Sequence, residues 1–305
     1  LVLWVGSLQL MLDKGKELDW FHSAQIVLLA VTAVVGFAFF LVWELTEKHP
    51  VVDLSLFKRR NFWTGAVATA VAYGLFFGNV VLLPLWLQQF MGYTATQAGM
   101  IMAPVGLLAI VFSPIVGLTV AKIDPRRYAT FSFLVFALVL WMRSNFNTQA
   151  DFWTIMIPTV IQGVAMAFFF IPLVTITLSG LSPDRIPSAS GLSNFLRITA
   201  GAVGTSVATT LWENRAILHH AQLAESINRG NDVANSVMSG LASSGLSQQQ
   251  VLGQIDGLVT QQSFMLASND VFYASAALFI LLIPLVWLAK PERSAGAADA
   301  AAGAH

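Results

Sequence analysis

Apolar residues in this chain gather into eight stretches, at about 1–11, 24–43, 63–87, 97–120, 129–143, 153–178, 190–212 and 270–289, each bounded by short polar or charged punctuation. A bilayer core of roughly 30 Å needs about 20 apolar residues as helix, and all but the first and fifth stretches reach that length comfortably. The pattern predicts an all-α membrane protein that crosses the bilayer several times. The first stretch begins in mid-run at Leu1, without a methionine, so the chain reads as the C-terminal portion of a longer protein. Its opening lacks a positive n-region and a small-residue cleavage site, which makes it half a span rather than a signal peptide.

Most of the punctuation is brief and rich in turn formers, as at Lys122-Ile123-Asp124-Pro125-Arg126-Arg127. The exception is 213–269, too polar for lipid and too long for a turn. Apolar positions recur there at helical spacing around Ile217, Leu218, Leu223 and Ile227, and again from Val251 through Ile255 to Leu258. That spacing predicts two amphipathic surface helices, the second capped by Ser247. The alanine- and glycine-rich tail from Ser294 to His305 has no periodic pattern and is expected to be disordered.

Lysine and arginine in short loops resist translocation and so report orientation. With the first span running outward, the inner segments hold ten (Lys48, Lys58, Arg59, Arg60, Lys122, Arg126, Arg127, Arg185, Lys290 and Arg293). The outer segments hold five, Lys14, Lys16, Arg143, Arg215 and Arg229, although they are longer. The C-terminus is therefore expected in the cytoplasm and the 213–269 segment outside. The organisation that follows is two spans over 1–45, a cytoplasmic connection over 46–62, five helices over 63–212, an outer loop over 213–269, a last span over 270–289 and a cytoplasmic tail over 290–305.

Composition supports the class. Charged residues make up 10% of the chain and mean hydropathy is +0.70, against about 25% charged in ordinary soluble domains. Net charge is zero, which leaves no basic field for nucleic acid. Cysteine is absent, and with it disulfides, thiolate metal sites and cysteine nucleophiles. Neither a nucleophile–base pair nor a glycine-rich phosphate loop is present, so an enzyme is not expected. His219 and His220 have no third ligand at metal spacing and read as solvated loop histidines, giving no metal site.

Several segments resemble a known family. Leu83-Pro84-Leu85-Trp86-Leu87-Gln88-Gln89-Phe90-Met91-Gly92-Tyr93-Thr94, continuing through Gln97-Ala98-Gly99 to Ala103-Pro104-Val105-Gly106, is similar to the span-loop-span signature of fourteen-span drug:proton antiporters of the major facilitator superfamily. Leu8 to Phe21 resembles the hairpin between the two extra spans of that branch, and Pro50 to Phe62 the approach to its C-terminal bundle. Thr175 to Leu181 and Ser190 to Phe195 complete a match to the EmrB/QacA group. The resemblance implies a major facilitator fold, here two extra spans plus the C-terminal six-helix bundle. It also implies a multidrug efflux permease of the bacterial inner membrane, exchanging protons for hydrophobic toxic compounds without a cofactor beyond the proton motive force. Its partners would be membrane lipid, hydrophobic drugs, a periplasmic adaptor of the EmrA type and an outer-membrane channel of the TolC type. The 213–269 segment is the expected adaptor surface. One departure stands out: Gly117 to Arg127 resembles the cytoplasmic loop motif of the superfamily, but Ala121 replaces its acid, which puts the motif's charge lock in doubt. A proton-coupled importer of the same fold, or an incomplete chain without activity of its own, are the alternatives.

Titratable groups inside the bilayer are costly and mark function. Glu44, Asp151, Glu213 and Asp270 all fall at span ends, where hydrated acids are expected, so the proton site is expected upstream of Leu1. Arg197, seven residues into its span and roughly 10 Å deep, is the coupling candidate here. Tyr73, Phe76, Phe77, Trp86 and Phe195, with Asn79, Gln88, Gln162 and Asn194, would supply an apolar cavity with a few polar groups for varied drugs. Phe168, Phe169 and Phe170, about 100° apart in succession, cannot all face it. Pro84, Pro104, Pro114, Pro158, Pro172 and Pro284 fall inside apolar runs, and Gly74 with Gly78 forms a G-x-x-x-G, features of helix packing and of cavity-lining kinks alike.

Overall fold

The structure, a computed structural model, describes residues 2–47, 52–120, 122–228 and 230–290. Lys48, Arg229 and Arg293 of the charge asymmetry, Ala121 of the loop motif and the tail from Ser294 lie outside the described residues. The described residues are helical and contain no strand: α1 Val2–Lys14, α2 Ala24–Thr46, α3 Arg60–Phe90, α4 Ala95–Thr119, α5 Pro125–Arg143, α6 Phe152–Ala167, α7 Phe170–Leu178, α8 Ile186–Ser226, α9 Asp232–Ser243 and α10 Gln248–Leu288. Every apolar stretch of the sequence lies in one of these helices, with α6 and α7 sharing the sixth. Five segments, α2, α3, α4, Phe152–Leu178 and α10, are long and apolar enough to cross a membrane by themselves.

Local chemistry sets the boundaries. Thr94 and Gln97 form a reciprocal capping box at α4, and Ser247 and Gln250 another at α10, each satisfying two N-terminal donors. Asp151 accepts from Thr154 N at the start of α6. The sixth stretch is not one helix, because Phe168 and Phe169 close as tight turns onto Ala165 and Met166. Pro172 explains the break: it has no N–H to give Phe168, and its ring would clash with that carbonyl in a continuous helix.

The polar segment 213–269 differs from expectation in form. Rather than two separate surface helices, α8 runs on to Ser226 and α10 begins at Gln248, so these two helices project beyond the apolar bundle with α9 between them. A helix that is already nucleated extends at little cost, and side chains across the pair hold it together. Arg215 and His219 of α8 both reach Asp270 Oδ2, at 2.6 and 2.8 Å, and His220 lies 3.2 Å from Asp256. The two histidines are therefore tied to acids on α10, and His219 is largely buried rather than solvated.

Helices α3, α4, α5, α6, α7, α8 and α10 enclose one core. Lipid is as apolar as leucine, so this core is held by close packing and by hydrogen bonds between helices. The closest approach is between α3 and α8, where Gly74 and Gly204 face backbone to backbone and a Cβ at either would meet the other helix's carbonyl oxygen or Cα. Trp212 Nε1 donates to Ser268 Oγ at 2.8 Å, and Asn79 Nδ2 to Ser275 Oγ at 3.0 Å, linking the core to α10. The α1–α2 pair packs mainly on itself and touches the bundle through α8.

At the end of the bundle where α10 stops, Arg60 Nε donates to Leu288 O, Asn61 exchanges hydrogen bonds with Lys290, and Arg126 Nη1 donates to Ala289 O at 3.0 Å. Arg126 also lies 4.9 Å over the Trp287 ring and is paired with Asp124. The loop motif that lacks its acid at 121 thus still engages the C-terminus of α10, where cations are favoured.

Candidate functional site: a cavity around Arg197

Residues Ser190, Ser193, Asn194 and Arg197 recur at helical spacing and so share one face of α8. That face turns toward α3 and α7, where it closes a cavity of about 230 Å³ with Thr69, Phe170, Ile171 and Val174. Arg197 lies eleven residues past Ile186, roughly 16 Å along the helix axis. Its Nη2 donates to Asn194 Oδ1 at 2.6 Å, and its guanidinium carbon sits 5.1 Å from the Tyr73 ring centroid and 5.6 Å from that of Phe170. Tyr73 in turn packs on Phe77, with ring centroids 4.7 Å apart. Two groups of the cavity, Arg197 Nε and the buried Thr69 Oγ1, have no hydrogen-bond partner among the described residues. Among the described residues, no carboxylate lines it.

The nine expected binding residues divide. Tyr73, Phe77 and Asn194 gather around Arg197. Phe76 is buried behind them against Phe136 and Phe169, and Asn79 is buried in the α3–α10 contact. Trp86 is core, fully buried and stacked on Phe146 at 6.0 Å. Gln88 faces outward and donates to Pro84 O within its own helix. Gln162 is buried and committed to Arg143. Phe195, one residue and about 100° from Asn194, points away from Arg197. It lines a larger apolar cavity of about 690 Å³ between the α1–α2 pair and α8, and packs edge-on against Trp4. The three consecutive phenylalanines do face different ways: Phe168 meets Tyr128 and Phe131, Phe169 the core, and Phe170 the Arg197 cavity.

Two charged residues sit differently from their sequence reading. Arg143, counted with the outer loop charges, is fully buried at the end of α5, donating from Nη2 to Thr159 Oγ1 at 3.0 Å and Gln162 Oε1 at 2.6 Å. Glu44, expected hydrated, is buried and accepts from Val52 N at 3.0 Å. Both changes come from neighbouring segments closing over them, which spacing along one helix does not report. Thr69, Ser190 and Ser193 were not among the expected binding residues, and Phe170 was weighed only as one of three consecutive phenylalanines that could not all face a cavity. The i, i+3, i+4, i+7 polar face of α8 was the signal that could have found its two serines.

A bundle of helices, five segments of which are long and apolar enough to cross a membrane, belongs to a multi-pass membrane protein. The sequence of residues 16–205 matches the Major Facilitator Superfamily, and the chain belongs to that family. It is 50% identical over its whole length to the multidrug export protein EmrB of Escherichia coli, covering 59% of that protein. It is 47% identical to the fatty acid resistance protein FarB of Neisseria gonorrhoeae, over 97% of this chain and 58% of that one. The chain thus spans about three-fifths of the length of these curated relatives. A bacterial homologue of the human lysosomal transporter Spinster shares the fold, with a TM-score of 0.51 at 14% identity, over 94% of this chain and 65% of that one.

Proposed function

We propose that the protein containing this chain is a multidrug efflux permease that exchanges protons for hydrophobic compounds across the bacterial inner membrane. The observation that carries the reading is the Arg197 cavity. It offers aromatic and aliphatic surface for an apolar compound and a few hydroxyl and amide groups to orient it, as binding sites for small molecules do. The names of relatives such as the multidrug export protein EmrB support the same reading. Arg197 is the charged group placed to respond to substrate and is proposed to take part in transport. Among the described residues no carboxylate lines this cavity, and the proton-carrying acid is proposed to lie elsewhere in the whole protein. Inverted vesicles containing the full-length protein test the proposal. Drug addition to vesicles with an imposed proton gradient should release protons at a rate that scales with protein content, and release equal to that of protein-free vesicles would refute exchange.

A tripartite assembly is part of this reading. The projecting α8–α10 pair with α9 exposes Ile217, Val233, Leu252 and Leu258, apolar positions on helices well beyond the bundle. We assign that projection to the periplasm, as the docking face for an adaptor of the EmrA type that continues to a channel of the TolC type. Replacing 222–262 with a short Gly/Ser linker should abolish adaptor co-purification while leaving drug flux in isolated vesicles intact. Retained co-purification would remove the projection from the interface.

A further inference from the structure

The α1–α2 pair does not lie flat against α8. It is pinned at both ends. Near the C-terminal end of α1, Ser206 Oγ donates to Leu12 O at 3.1 Å and Lys16 pairs with Glu213 at 2.6 Å. At the opposite end Val52 N donates to Glu44, and Asp53 of the same connection pairs with Arg185 in the turn before α8. Between these pins the helices stand apart around the cavity of about 690 Å³, whose wall includes Trp4, Ala33, Val34, Phe37, Leu192 and Phe195. Ser188 and Thr199 supply the hydroxyls among its lining side chains, too few to hold a cluster of water, and an apolar void of this size left empty forfeits packing on every side. Hydrocarbon is the filling that such a wall suits. Val34 and Phe37 line the cavity yet are 68% and 42% exposed, so it opens along α2, a helix apolar enough to cross the bilayer.

We propose that this cavity holds one acyl chain of an anionic glycerophospholipid from the cytoplasmic leaflet, a resident lipid that joins the α1–α2 pair to the bundle. Length argues for a chain from a single leaflet. The wall follows α8 from Ser188 to Thr199, eleven residues or roughly 16 Å, about half of a hydrocarbon core of roughly 30 Å. Charge argues for the head group. Val52, Leu54 and Phe57 line the end near Ser188, where Val52 and Phe57 pack with Ala189. The next two residues, Lys58 and Arg59, are exposed and form no ion pair among the described residues. Basic side chains at the membrane surface attract anionic lipid, and the charge asymmetry of the loops assigns this end to the cytoplasmic face. Phe195, two residues and about 200° around α8 from Arg197, faces this cavity, so the lipid and a compound beside Arg197 would occupy opposite sides of the helix. The lipid is a fixture of the fold rather than cargo, and the inference stands independently of the efflux reading.

The test uses the full-length protein. With the photoreactive residue p-benzoylphenylalanine in place of Val34, irradiation in native membranes should give a covalent phospholipid adduct, detected by mass spectrometry of the purified protein. An excess of Nile red, a neutral apolar dye, should leave the adduct yield unchanged. In native mass spectrometry, wild-type protein should retain one phospholipid through detergent exchange and favour phosphatidylglycerol over phosphatidylcholine by about fivefold or more. Lys58→Gln combined with Arg59→Gln should erase that preference. Leu41→Trp, which adds bulk to the cavity wall, should displace the lipid, whereas Leu107→Trp on the exposed side of α4 should match wild type. Wild-type protein that retains no phospholipid, or shows no head-group preference, overturns the inference whether or not the variants fold. Absence of a lipid adduct at position 34, or a crosslink to another segment of the protein in its place, overturns it as well, because the protein itself would then fill the cavity. Loss of the adduct to Nile red would make the cavity a site for exchangeable compounds rather than for a resident lipid. Equal lipid retention by Leu41→Trp and Leu107→Trp would place the retained lipid elsewhere and refute the assignment.

Discussion

Arg143 shows how a single side chain can be read two ways. By its place at a span end it is a topology-setting charge, yet its guanidinium is enclosed between α5 and α6 with Thr159 and Gln162 as partners. Removing a partner from a buried cation costs more than replacing both partners with apolar groups. Gln162→Leu should therefore destabilise the protein by about 2–3 kcal/mol, and adding Arg143→Met should recover most of that loss. Thermal unfolding of the detergent-solubilised single and double variants checks this, and additive losses would show that the pair does not interact. Asp53 is the corresponding case outside the bilayer. Hydrogen bonds from Ser55, then the hydrogen bond and charge of Arg185, hold its carboxyl below the ordinary carboxylate range. A depressed folded value means the stabilisation is present above the unfolded pKa of about 3.9 and is lost as pH falls through the folded value. The wild-type melting temperature should drop on acidification below about pH 4 by more than that of Asp53→Asn, with a difference at neutral pH of about 1 kcal/mol or less. Identical acid profiles for the two proteins would show that Asp53 contributes nothing.

At the scale of the element, the contact between α3 and α8 is the most sensitive. Gly74 and Gly204 allow the two backbones to touch, and any side chain at 204 must drive the helices apart. Gly204→Ala should lower membrane abundance and thermal stability, by about 2 kcal/mol or more, because overpacking a close crossing cannot be relieved by a rotamer change. Gly106→Ala, where an added Cβ meets nothing, serves as the control and should match wild type. The break between α6 and α7 belongs to this scale as well. It aims Phe169 into the core and Phe170 at Arg197, so the cavity depends on Pro172 although that residue does not line it. Pro172→Ala should allow the helix to run on and should reduce drug transport more than membrane abundance, measured together in the same vesicles.

For the whole molecule, orientation is the property that charge alone predicts, and it can be checked directly because the chain has no cysteine. Ser244 is exposed at the end of α9, on the projection formed by α8 and α10. A cysteine placed there should react with an impermeant thiol reagent in intact cells whose outer membrane has been permeabilised. Labelling only after the inner membrane is opened would reverse the assigned topology. The same projection gives the protein its asymmetry. One end of the bundle is closed by Arg60, Asn61 and Arg126 on the end of α10, and the other extends as paired helices clasped by Asp270.

Hydrophobic periodicity determined the class and the number of apolar elements, because a segment's fitness to sit in lipid depends on its own composition and length. The Ser247 cap was legible for the same reason, being a contact across three residues. Arg197 was legible as an unusual charge within a span. What the sequence could not supply was which faces meet. Trp86 and Gln162 were drawn into the interior, and Gln88 was left facing outward. Phe195 turned to a second cavity, and Thr69 and Phe170, more than a hundred positions apart in sequence, both came to Arg197. Those outcomes depend on the rotation of each helix against its neighbours. That rotation is fixed by close backbone crossings such as Gly74 with Gly204 and by the Pro172 break, interactions between segments that no single-helix pattern contains.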